Sequence, residues 1–107
     1  MFLYPYPPSL PLDSLQLVVG MFRGQWPPLA TAVHALWTVQ GYAQSQILPD
    51  KLALAPGAIR TLPHEEAADH LEAAVDEPGE AYTLPWASIL RTLLILFQQF
   101  LERQPSA

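Results

Sequence analysis

The sequence predicts an all-α fold, a four-helix bundle with an extended proline-rich N-terminal arm at residues 1–11. Three observations predict it. Twelve prolines cut the 107 residues into segments, and four of the segments repeat apolar residues at the three- and four-residue spacing of an amphipathic helix. Half of the residues are hydrophobic and only 14% are charged, so there is ample side chain for a helical core. There is no cysteine, and a chain of this length buries a core without the help of disulfide or metal. One domain over residues 1–107 is expected.

The arm comes first. Pro5, Pro8 and Pro11 stand three apart, which places them on one face of a polyproline II strand. No Arg or Lys flanks them, so the arm is read as packing Tyr4 and Tyr6 on the body. The first helix is predicted at 13–23, with Asp13 as its N-cap and Gly24 as its stop. Leu15, Val18, Met21 and Phe22 share one of its faces. The second helix opens at Pro27-Pro28 and runs over 28–47, since proline suits a first turn. Residues 48–61 read as a long connection. The third helix covers 62–77 and the fourth 84–103, joined by a turn at Pro78-Gly79. Ser9-Leu10-Pro11, Thr61-Leu62-Pro63 and Thr83-Leu84-Pro85 repeat a helix-start pattern of cap, staple and first-turn proline.

The third helix draws attention as chemistry. Residues 61–77 hold two of the three histidines and six of the ten acids. On a helical wheel Ala67, Ala68, Ala74, Val75 and His64 cluster around Leu71, and every acid of the helix points the other way. His64 lies in the apolar stripe and His70 in the acidic face, so the two cannot converge on one ion. Glu66, Asp69 and His70 are weak metal candidates, because a metal site takes three or four ligands with a fixed second shell. Glu66 and His70 at i, i+4 read better as a solvated side-chain pair. Glu65-Glu66-x-x-Asp69 resembles the first acidic motif of the all-α NTP pyrophosphohydrolases, a family that holds magnesium between two helices. That family has a second Glu/Asp pair on a facing helix, whereas here the second helix has no acid and the fourth has only Glu102. The likeness covers five residues. No cofactor is expected. The serines have no neighbouring histidine or glycine elbow, and no phosphate loop exists. His34, beside Thr31, Thr38 and Gly41, is expected to be hydrogen-bonded inside a helix contact.

Charge is distributed unevenly. Glu65, Glu66, Asp69, Glu72, Asp76, Glu77 and Glu80 fall between Arg60 and Arg91 with no base among them. Most such faces are only solvated; the alternative is a docking surface that steers a basic partner, with Glu65, Asp69, Glu72 and Asp76 as its docking residues. A net charge of −5 with five Lys/Arg excludes nucleic acid as the expected partner. From Gly24 to Pro49 there is no charge at all, and an uncharged helix is expected to be central, covered on both sides. Trp86, Ile89, Leu90, Leu93, Leu94, Leu96, Phe97, Phe100 and Leu101 spread over half of the fourth helix. Its longest apolar run, 93–97, is far below the roughly 20 residues that span a bilayer. The N-terminus lacks a basic region before its prolines, so a cytoplasmic location is expected.

Two wide apolar helices exceed what two modest ones cover. A homo-oligomer is therefore expected, meeting through the second or fourth helix with Trp37, Tyr42 and Trp86 as anchors. Three function classes follow. The first is a non-catalytic helical protein–protein interaction module, such as an adaptor, assembly factor or small subunit. Next comes an acidic inhibitor of a basic partner, such as an immunity protein, antitoxin or phage-encoded blocker, acting through the third helix. Last is a small metal-dependent hydrolase.

Overall fold

The computed structural model describes residues 10–47, 60–76 and 83–103. Residues 1–9 of the expected arm, most of the connection at 48–61, Glu77 and the turn at Pro78-Gly79 lie outside the described residues. Every described element is a helix: α1 (Leu12–Phe22), α2 (Leu29–Gln46), α3 (His64–Asp76) and α4 (Trp86–Arg103). All four fall within two residues of their expected starts and ends.

Each helix begins directly after a proline. The carbonyls of Pro11, Pro28, Pro63 and Pro85 accept the first helical bonds, from the N–H groups of Leu15, Ala32, Ala67 and Ile89 at 2.8–3.0 Å. Proline therefore holds the cap position rather than the first turn. Its fixed φ leads the chain in, and it carries no N–H to leave unpaired. This corrects the expected caps. Asp13 sits inside the first turn of α1, where it favours the helix dipole, and neither α1 nor α2 has a side-chain cap bond. Thr61 and Thr83 lie two residues before the proline that holds the cap position. The leucines between them do match a staple. Leu10 is buried, and Leu62 and Leu84 pack against the core, each five residues before buried Leu15, Ala67 or Ile89.

Gly24 ends α1 as expected. Its φ is +93°, the Gln25 N–H reaches back to the Gly20 carbonyl at 2.8 Å, and its own N–H reaches Met21 at 3.0 Å. That pair of bonds is a Schellman stop, which needs a left-handed residue at this point.

The centre of the fold is α1, not α2. It packs against α2 on one side and α3 on the other, while α4 lies on α2 and touches α3 more lightly. Serving two neighbours, α1 buries Ser14, Leu15, Val18, Val19, Met21 and Phe22, an arc of about 160° on the wheel. The face of α3 against it is small, with Ala67, Ala68, Leu71 and Ala74 all fully buried, as the wheel places them. His64 continues that face, its ring edge-on to Phe22 with centroids 5.3 Å apart. By contrast α2 is covered on one side only. Ala32, Ala35, Leu36, Val39, Tyr42 and Ala43 are buried, and Leu29, Ala30, Thr31, His34 and Trp37 are open to solvent. Lack of charge misled because Ala30 and Thr31 are small enough to face water at little cost.

One polar side chain is sealed into the core. Thr92 of α4 is fully buried; its Oγ1 accepts the Leu62 N–H at 3.1 Å and donates to the Ser88 carbonyl at 3.0 Å. It thereby fixes the entry of α3 against α4, on which α3 packs only lightly.

Candidate functional site

The expected anchors separate on folding. Tyr42 and Trp86 are 1% and 4% exposed and meet each other edge-on at 5.7 Å. Both rings are core of the single chain and closed to a partner: α4 folds back on α2, and Trp86 and Tyr42 are buried against each other. Trp37 has the opposite fate and is 61% exposed.

Around Trp37 lies an apolar strip shared by α2 and α4. Leu29 and Trp37 come from α2 and Leu94 and Leu101 from α4, each at least 47% exposed. Their spacing follows from the helix: 29 and 37 are two turns apart, and 94 and 101 lie within about 20° on the wheel. A groove of about 200 Å³ runs between the two helices, lined by Trp37, Gln40, Leu94, Phe97 and Gln98. The Trp37 indole is held edge-on by Phe97 at 5.9 Å. Phe97 is in turn edge-on to Phe100 at 6.4 Å, and Phe100 stacks on Trp26 at 6.2 Å. Beyond that ring the Arg103 guanidinium lies 4.6 Å from the Trp26 centroid, within cation–π range. An aromatic relay thus braces the exposed indole from the core outwards. His34 and Thr38 border the strip on α2. His34 is exposed rather than enclosed in a helix contact, and its carbonyl accepts the Thr38 hydroxyl at 2.7 Å.

The second candidate face is the acidic side of α3. Glu65, Glu66, Asp69, Glu72 and Asp76 are all exposed there, but the face is not without a base. Arg23, at the end of α1, reaches Asp69 at 2.8 Å and Glu72 at 3.2 Å. Its pKa is raised, first by the hydrogen bond to Asp69 and then by the charge of Glu72. Two of the four residues expected to dock a basic partner are therefore already paired with one arginine of the same chain. Sequence separations of 46 and 49 residues hide these pairs from any local reading. Beside them a furrow of about 410 Å³ runs along the seam of α1 and α3, lined in part by Gln16, Val19, Arg23, Glu72, Val75 and Asp76.

The weak metal candidates do not assemble. His70 lies 3.9 Å from Glu66, as an i, i+4 surface pair, while Asp69 is engaged by Arg23. Among the described residues no three His, Asp or Glu side chains come together to hold a metal ion. None of the described helices is long and apolar enough to cross a membrane.

Comparison with protein-family models, curated proteins and solved structures gives no match. The geometry alone must carry the functional reading. What it presents is a contact surface: a braced tryptophan beside an apolar groove on one side of the molecule, and a partly neutralised acidic face on α3.

Proposed function

We propose that the chain is a non-catalytic helical protein–protein interaction module, an adaptor, assembly factor or small subunit, which docks through the strip of α2 and α4. The single observation that supports this most is Trp37, 61% exposed yet braced by Phe97. Tryptophan is the residue type most enriched among interface hot spots. A large aromatic held rigid at the surface loses little conformational entropy when a partner covers it. Trp37 and Leu94 line one groove, and Leu29 and Leu101 add exposed apolar surface on the same two helices, the kind of surface that marks an interaction site. The inhibitor reading loses ground because Arg23 takes up Asp69 and Glu72.

The test is differential capture from the native host. Tagged wild-type chain should retain a complex of fixed stoichiometry, and Leu94→Glu should lose it, while Asp76→Lys on α3 retains it. Loss on Asp76→Lys with retention on Leu94→Glu would overturn the strip reading in favour of the acidic face.

A further inference from the structure

We infer that the strip is covered by a second copy of this chain, on a two-fold axis passing near Phe97. This rests on the docking reading above and names the occupant of the same surface. Four observations carry it.

The strip is neutral where it would be crossed. Uncharged α2 supplies one half, and the acids of α3 stand on a helix that packs chiefly on α1. Two chains of net charge −5 can therefore meet here without opposing their carboxylates. A charged partner would find nothing to pair in the middle of this surface.

Knob and hole also occur on one patch. An isologous contact requires self-complementarity, since each residue pair is made twice. Here the protruding Trp37 stands directly beside the groove lined by Gln40, Leu94, Phe97 and Gln98. A two-fold near Phe97 brings the Trp37 of each copy to the other, because Trp37 touches Phe97 at the same level.

Charge complementarity fixes the register. On the wheel Arg91 and Glu102 border the same edge of the strip, about 60° and 80° from Leu94. Both are exposed, and among the described residues neither forms an ion pair. If α4 meets α4 antiparallel about Phe97, Leu94 lies within about one residue rise of Leu101 of the second copy. Arg91 then falls within about one residue rise of Glu102 of the second copy, on the same rim. Both pairs are made twice.

The size is adequate. Two 18-residue helices side by side, each about 27 Å long and about 10 Å wide, offer on the order of 500 Å² a side. Doubled, that reaches the roughly 1,000 Å² that a specific interface needs.

The experiment is sedimentation equilibrium of the full chain at low salt, with circular dichroism to show that each variant keeps its helices. Wild type should sediment as twice 11.9 kDa. Arg91→Glu and Glu102→Arg should each weaken the dimer about tenfold, and the double reversal should restore it. Trp37→Ala and Leu94→Glu should give helical monomers. A wild-type monomer at about 100 µM would overturn the inference, as would a dimer unmoved by the single reversals or not restored by the double one. The docking reading fails separately, if Leu94→Glu leaves the host complex intact. A monomer that still loses its host complex on Leu94→Glu would sink the second copy and leave the docking surface standing.

Discussion

Thr92 is the residue on which local chemistry and tertiary structure meet. Its hydroxyl takes the Leu62 N–H and gives its proton to Ser88 inside a fully buried site. Thr92→Val keeps the shape and strands the Leu62 donor, so unfolding in urea should show a loss of about 1–3 kcal/mol. Thr38 makes a similar bond back to the preceding turn, to His34 at 2.7 Å, but on the outer side of α2. Thr38→Val should therefore stay within about 0.5 kcal/mol of wild type. Equal losses at the two sites would mean that the Leu62 contact contributes nothing. Residue by residue, the sequence disclosed what depends on position along one helix: the buried face of α3 around Leu71 and the outward turn of its acids. What depends on two helices stayed hidden. Thr92 reads as an ordinary surface threonine, Arg23 gives no sign of Asp69, and Tyr42, Trp86 and Trp37 look alike until α4 packs on α2 and buries the first two.

At the scale of the element, α1 contains two glycine problems with opposite solutions. Gly24 has φ +93° and open space where a Cβ would go, so its requirement is conformational. Gly24→Ala should cost about 1–2 kcal/mol, the usual penalty of a left-handed alanine. Gly20 lies within α1, and a Cβ there would meet the Gln25 Oε1 at 3.3 Å, the movable end of a side chain. Gly20→Ala should be neutral or stabilise by up to about 1 kcal/mol through helix propensity. Paired thermal melts check both signs, and a destabilised Gly20→Ala would show that Gln25 cannot yield. Helix limits were readable because proline imposes them chemically. Rank among the helices was not, since the uncharged α2 invites a central place. That place belongs to α1, whose Val19 widens its buried face beyond the obvious stripe of Leu15, Val18, Met21 and Phe22.

The whole molecule can be tested for unity by an accident of composition. Its three tryptophans, at 26, 37 and 86, lie in α2, in α4 or just before α2, and none lies in α1 or α3. Tryptophan fluorescence thus reports the α2–α4 half, whereas far-ultraviolet circular dichroism reports all four helices. Since α1 packs on both α2 and α3 and one cluster of buried side chains joins every helix, the two signals should change together in urea. Leu71→Ala sharpens the question. Leu71 is fully buried on α3, and its truncation should cost about 2–5 kcal/mol by loss of transfer energy and creation of a cavity. If the helices share one cooperative transition, that loss moves the fluorescence midpoint as far as the dichroism midpoint, although no tryptophan stands on α3. Were the fluorescence midpoint to stay in place while part of the helical signal melted earlier, α3 would be a separately unfolding unit. The α2–α4 strip would then have to hold its shape without it.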